Sequence, residues 1–128
     1  MRLLVDTQIF LWFLAEARRI PAPAREAIES PENAVLVSAA AVWEIAIKAS
    51  LGRLRIAADD VQRLPRLIAD AGFDELPVLA RHASAVHRLP WHHRDPFDRL
   101  LIAQARAESL TLVSVDPAMH AYDVPLLP

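Results

Sequence analysis

Leu3-Leu4-Val5-Asp6-Thr7 is a short apolar run that meets a carboxylate and then a residue suited to starting a helix. A strand with one wet face alternates apolar and polar residues. A continuous apolar run instead marks a strand covered on both faces. Val35-Leu36-Val37 and Leu112-Val113-Ser114-Val115 have the same character. Helix-like stretches separate the three runs. Strands alternating with helices predict an α/β fold, with a mostly parallel central sheet and helices on both faces.

The predicted helices follow from caps and breakers. Thr7 to Ala15 can cap at Thr7 and carries an apolar run from Ile9 to Leu14. Ala22 to Ser30 is short and amphipathic. Ser38 to Leu51 has an N-cap serine and stops at Gly52. Asp59 to Ala71 contains Pro65, which predicts a kink or restart, and ends at Gly72. Leu79 to Arg88 reads as a fifth, short helix. The sixth opens with Asp95 as cap and Pro96 in the first turn; Phe97, Leu100, Leu101, Ile102 and Ala105 form its buried side. Pro125 restricts Val124–Leu127 to an edge strand.

At 128 residues, one domain over 1–128 is expected. The 23 Ala and 18 Leu favour helix, while the 18 Val and Ile suffice for a modest sheet. A net charge of -2 excludes a wholly basic nucleic-acid binder but leaves room for a local basic patch. With no cysteine, disulfides, thiol catalysis and thiolate metal sites are ruled out. That composition is compatible with a cytoplasmic protein, the expected location. The apolar runs are too short to span a membrane.

Four acids fall where a parallel sheet binds ligands. Asp6 and Asp116 each follow an apolar run, and ligands of open α/β sheets sit beyond the carboxyl ends of the strands. Each could instead cap the next helix, although Thr7 is itself a good cap beside Asp6. Glu44 lies inside a helix that is apolar on nearly every side. A carboxylate buried there must be paired or metal-bound, unless it forms an exposed i,i+4 pair with Lys48. Asp95 and Asp98 straddle a helix start. The first reads as a cap, and the second either meets the helix dipole or points into the rim. If Asp6, Glu44, Asp98 and Asp116 converge, they cannot all be ionised without compensation. Hard divalent cations with all-oxygen ligands supply it, Mg²⁺ with Mn²⁺ as substitute.

His92-His93 beside Asp95 does not make a zinc site, because adjacent histidines rarely converge and nothing completes a tetrahedron. Lysine occurs once, at Lys48, so the basic chemistry is mainly arginine. The window 81–99 holds Arg81, Arg88, Arg94 and Arg99 together with four of the five His. A cationic stretch beside acids suits a phosphodiester substrate, whose flanking phosphates need holding. The common alternative is a solvated basic surface.

Leu3-Leu4-Val5-Asp6-Thr7, Val37-Ser38 through Val42-Trp43-Glu44-Ile45-Ala46-Ile47-Lys48, His93-Arg94-Asp95-Pro96-Phe97-Asp98-Arg99-Leu100-Leu101-Ile102-Ala103-Gln104-Ala105 and Leu112-Val113-Ser114-Val115-Asp116 together resemble PIN-domain ribonucleases. Within that family the pattern is similar to VapC-type toxins of type II toxin–antitoxin modules. The third stretch is the most specific. The resemblance implies a three-layer α/β/α sandwich and an Mg²⁺- or Mn²⁺-dependent endoribonuclease. In it, Asp6 and Asp98 would ligate metal directly, while Glu44 and Asp116 would complete the pocket directly or through water. Asp95 is assigned mainly to capping and pocket support, with Thr7 as cap or pocket support. His93, Arg94 and Arg99 are the candidate RNA phosphate contacts. Water as the nucleophile would leave a 5′-phosphate and a 3′-hydroxyl. A cognate antitoxin and a homodimer are also implied. The run Phe10–Leu14 either forms part of a partner surface or wedges into the core. Ala41 stands where many relatives carry serine, which affects a hydrogen bond and not a ligand.

The main alternative is a catalytically weak PIN-like module that only binds RNA or protein. A phosphorelay receiver is disfavoured, since it needs neighbouring acids after its first strand and a lysine near its last. A small-molecule phosphatase remains separable by assay. For a flap nuclease, the chain lacks the length of the arch that threads DNA.

Overall fold

A computed structural model describes all residues, 1–128. Five strands form one sheet, namely β1 (Arg2–Val5), β2 (Ala34–Ser38), β3 (Asp74–Leu76), β4 (Thr111–Val113) and β5 (Leu126–Leu127). Their order is β3-β2-β1-β4-β5 and every pairing is parallel. β1 is central, with Val5 opposite Val37 on one side and Val113 on the other. Six helices connect the strands, namely α1 (Thr7–Ala15), α2 (Ala22–Glu29), α3 (Ala39–Ser50), α4 (Ala58–Asp70), α5 (Ala80–Ala85) and α6 (Pro96–Glu108).

The alternation of β1 side chains splits the apolar residues into two cores. Leu3 and Val5 pack with Ile9 and Phe10 of α1, Ile28 of α2, Ile45 of α3 and Leu64 and Ile68 of α4. Leu4 faces the opposite side and packs with Leu101, Ile102 and Ala105 of α6 and with Met119 and Tyr122. Helices covering both faces of a parallel sheet make the expected three-layer α/β/α sandwich.

Two expectations are corrected, and one strand is added. The cap of α1 is Asp6, whose Oδ1 accepts the Ile9 amide at 2.8 Å, so Thr7 is the first helical residue and not the cap. No restart occurs at Pro65, because α4 runs through it over 13 residues. Buried Leu64 and Ile68 hold both halves of that helix against the sheet, so packing overrides the lost backbone bond. β3 has no counterpart in the sequence reading. It is three residues long and opens with the exposed acids Asp74 and Glu75. Only its pairing with β2 defines it.

The sheet order places the site. From β1 the chain moves outward to β2 and β3, then returns to place β4 on the other flank of β1. The reversal between β1 and β4 opens a crevice at their carboxyl ends, where α/β sheets bind ligands. Asp6 follows β1 directly, and Asp116 lies three residues past β4.

Candidate active site

Asp6, Glu44, Asp98 and Asp116 all line one open cavity of about 380 Å³ at that crevice. They arrive on four different elements. Asp6 ends β1, Glu44 projects from the second turn of α3, Asp98 lies in the first turn of α6, and Asp116 follows β4. Asp95 also lines the cavity.

Capping places three of these acids without excluding them from the rim. The Asp6 backbone stays at the sheet, its amide donating to the Val113 carbonyl at 3.0 Å. Asp116 Oδ1 accepts the Ala118 amide at 2.9 Å and starts a short 3-10 turn. Asp95 Oδ1 accepts the amides of Phe97 and Asp98 at 2.9 and 3.1 Å. That cap satisfies the helix start, so the Asp98 side chain is not needed there and turns into the cavity.

Glu44 is 4% exposed, yet it is not a free ligand. Thr7 Oγ1 donates to its Oε1 at 2.6 Å and Lys48 Nζ to its Oε2 at 2.5 Å. The i,i+4 pair with Lys48 therefore forms, but around a buried carboxylate. Glu44 also keeps the Lys48 ammonium charged to higher pH than usual.

Negative charge in the cavity is under-compensated. Five acids line it, against Lys48 and Arg53 as its only cations. Burial pushes the Asp98 carboxyl up to about 7, and the charges of Asp95, Glu44, Asp6 and Asp116 add to the effect. Asp6 is raised chiefly by burial too, against the opposing hydrogen bonds from Ser114 and the Ile9 amide.

The donor chemistry fits a hard divalent ion, though not as a ready-made cage. No three His, Asp or Glu side chains are already gathered to hold an ion. Mg²⁺ does not require that, since it commonly keeps several waters and takes only one or two carboxylates. Asp98 fits such a ligand, because no protein group donates a well-formed hydrogen bond to its carboxylate and its like-charged neighbours favour an added cation.

The cationic stretch 81–99 does not surround the cavity as expected. Arg99 is 2% exposed and spends its guanidinium inside the protein. Nη1 donates to Pro90 O at 2.8 Å and Tyr122 Oη at 3.1 Å, and Nη2 to Leu89 O at 3.2 Å and Val86 O at 3.4 Å. It cannot also meet a substrate phosphate, which corrects that assignment. Arg81 pairs with Glu108 at the far end of α6. His93 sits beside Asp98, with Nε2 3.4 Å from Oδ2, and is half-buried. Arg94 is exposed. The cations at the cavity wall are Lys48 and Arg53, and no sequence signal marks Arg53 as part of the site. It follows the Leu51-Gly52 turn that ends α3, and nothing local distinguishes it from a solvated arginine.

The run Phe10–Leu14 divides its faces. Phe10 is core, and Phe13 packs against Phe73 with the rings tilted and their centroids 4.7 Å apart. Leu11, Trp12 and Leu14 instead line a groove with Ile56 and Leu67. This groove shares Gln8, Leu11 and Leu54 with the acidic cavity, so the two are continuous.

The structure resembles chains of three solved structures. One is VapBC2 from Rickettsia felis bound to a DNA fragment from their promoter (TM-score 0.75, 14% identity, 99% of this chain and 98% of that one). VapBC-1 from nontypeable Haemophilus influenzae gives a TM-score of 0.72 at 14% identity, covering 99% and 97%. FitAcB from Neisseria gonorrhoeae gives 0.67 at 21% identity, covering 98% and 96%. These likenesses establish the fold. No curated protein matches the chain in sequence. The PIN domain family model matches residues 3–125, from the first apolar strand to the edge of β5. With that match over nearly its whole length, the chain belongs to the PIN domain family.

Proposed function

We propose that this PIN-domain protein is a divalent-metal-dependent endoribonuclease and the toxin of a toxin–antitoxin pair. The observation that carries the reading is the meeting of Asp6, Glu44, Asp98 and Asp116 in one cavity at the β1/β4 switch point. Asp6 and Asp98 are the primary metal ligands. Glu44 and Asp116 complete the pocket, directly or through water. Mg²⁺ is the expected ion, with Mn²⁺ as substitute. A bound divalent ion would activate water for attack and neutralise charge developing on the phosphoryl group. Asp95 holds the start of α6 so that Asp98 faces the cavity. Thr7 and Lys48 hold Glu44 at the wall. Arg53 and the exposed Arg94 are the cations available to flanking phosphates, in place of Arg99.

The antitoxin half of the reading rests on the toxin–antitoxin complexes among the structural neighbours. It is also supported by the apolar groove that runs into the cavity. A partner seated along Leu11, Trp12 and Leu14 would cover the approach to the acids. A homodimer and a cytoplasmic location belong to the same reading. No helix is long and apolar enough to cross a membrane.

The test is cleavage of a mixed RNA pool by purified protein with Mg²⁺ or Mn²⁺, against EDTA, beside Asp6→Asn. Metal-dependent cleavage lost in the variant supports the reading. Cleavage that persists in EDTA or in Asp6→Asn overturns it. A second reading, a PIN-like module that binds without cutting, draws on the absence of a preformed chelating trio and on the pairing of Glu44 with Lys48. RNA retained without cleavage, by folded protein with metal present, would favour it.

A further inference from the structure

The Tyr122 hydroxyl lies at a crossing of hydrogen bonds, and counting donors there fixes a proton elsewhere. Arg99 Nη1 reaches it at 3.1 Å, and an arginine only donates. The His93 amide reaches it at 3.3 Å and also only donates. These two donors fill the two lone pairs of the oxygen. The hydroxyl has one proton left to give, and His93 Nδ1 stands 2.7 Å away. If Nδ1 carried a hydrogen, three donors would compete for two lone pairs, and the hydroxyl proton would be left with the distant His93 carbonyl at 3.5 Å. Nδ1 is therefore the acceptor, and the ring hydrogen sits on Nε2.

That Nε2 is buried and has no hydrogen-bond partner of good geometry. Its nearest carboxylate oxygen is Asp98 Oδ2 at 3.4 Å. A buried N–H left unpaired is costly, so a small adjustment of Asp98 toward it is favoured. The far end of the chain is rigid. Arg99 is pinned by three backbone carbonyls, and its guanidinium lies 3.9 Å from the Trp91 ring centroid.

We propose that Arg99, Tyr122 and His93 form a one-way hydrogen-bond chain whose end, the His93 Nε2–H, orients the Asp98 carboxylate. His93 is then a positioning residue behind a metal ligand, not a contact to substrate phosphate. Groups that orient a ligating carboxylate raise metal affinity by fixing its direction before the ion arrives. The inference rests on the reading of Asp98 as a metal ligand and adds the residues that aim it. It also explains why Arg99, so close to the cavity in sequence, faces away from it.

The test has two parts. Long-range proton–nitrogen correlation spectra of the histidine rings in metal-free wild type need no variant. They should show His93 protonated at Nε2 with Nδ1 as bare acceptor. Tyr122→Phe should mix the two ring forms. Mn²⁺ binding is then measured by calorimetry, on proteins whose fold is checked by near-ultraviolet dichroism. His93→Ala and Tyr122→Phe should weaken Mn²⁺ about tenfold. His93→Gln, whose amide nitrogen can take the place of Nε2, should stay close to wild type. A proton on Nδ1 in the wild type overturns the inference alone, as does Mn²⁺ affinity unchanged in His93→Ala. A wild type that takes up no Mn²⁺ while its ring shows Nε2–H overturns the metal reading, and the positioning role falls with it.

Discussion

Ser38 Oγ donates to Gln104 Oε1 at 2.6 Å, joining the end of β2 to the middle of α6 across 66 positions of sequence. The same hydroxyl accepts the Ala40 amide at 3.0 Å and so caps α3, the helix that carries Glu44. Gln104 Nε2 donates to Pro77 O at 3.2 Å and faces His82 Nδ1 at 3.5 Å. Since His82 Nδ1 accepts the Leu79 amide, its other nitrogen carries the hydrogen and donates to Glu108 at 2.8 Å. The bond thus sets the spacing of the two helices that bear Glu44 and Asp98.

Gln104→Leu should destabilise the protein by about 1–3 kcal/mol, the cost of leaving the buried Ser38 hydroxyl unpaired. Urea unfolding measures it. Ser38→Ala in the Gln104→Leu background should cost less than Ser38→Ala alone, because the two residues share one bond. Additive losses would show that the contact does not couple α3 to α6.

Asp98 should contribute a pH dependence to the stability of the metal-free protein that runs opposite to that of a salt-bridged carboxylate. Its ordinary carboxyl value is 3.8, and the fold raises it to about 7. Between those values the folded chain holds a proton that the unfolded chain has released. The contribution of Asp98 to stability is therefore intact below about pH 4 and is lost as pH rises through about 7. The full effect is on the order of 4 kcal/mol. Asp98→Asn should remove this dependence and make the metal-free protein more stable than wild type at pH 8. Mg²⁺ or Mn²⁺ should act oppositely, raising the wild-type melting temperature more at pH 8 than at pH 5.5, because the ion prefers the ionised carboxylate. Thermal melts at the two pH values, with metal and with EDTA, check both arms. A metal-induced rise that is equal at both pH values, or that persists in Asp98→Asn, would contradict the assignment.

Lys48 competes with a cation for Glu44. Its side chain is 43% exposed, whereas that of Glu44 is only 6% exposed. Lys48→Met should lower the melting temperature of the metal-free protein, since Glu44 keeps only Thr7 as partner. It should also enlarge the stabilisation by Mn²⁺, because a bound ion then neutralises what Lys48 had neutralised. Calorimetric melts of both proteins, metal-free and metal-loaded, decide it. An unchanged metal-induced shift would mean that Glu44 stays outside the reach of the ion.

How far the sequence revealed this arrangement depended on whether each signal was local. The strand-ending acids are legible because an apolar run followed by Asp lies within five consecutive residues. The start of α6 was legible because Asp95 and Pro96 carry its chemistry within two positions. β3 was not, because its three residues become a strand only by pairing with Leu36, Val37 and Ser38. The role of Arg99 was hidden for the same reason, since its partners Tyr122, Leu89 and Val86 come from other elements. The cap of α1 is ambiguous in sequence because Asp6 and Thr7 are both good caps, and nothing local shows that Asp6 takes the Ile9 amide while the Thr7 hydroxyl donates to Glu44, 37 positions away.

Arg99 and Arg53 should separate cleanly by experiment, since one is structural and the other faces the cavity. Arg99→Lys keeps the charge but cannot reproduce four bonds from a planar fork, so it should lower stability. If the mutant still folds, its salt dependence of RNA binding should match wild type. Arg53→Gln removes a cation from the cavity wall without touching the core. It should leave the melting temperature within about 0.5 kcal/mol equivalent of wild type. It should also weaken RNA binding and make the logarithmic salt slope shallower by roughly 0.7, the counterion released by one single-strand phosphate. Binding titrations on a non-cleavable RNA at several salt concentrations, beside thermal melts, measure both quantities. A shallower slope in Arg99→Lys with Arg53→Gln unchanged would reverse the assignment and return Arg99 to the substrate side of the site.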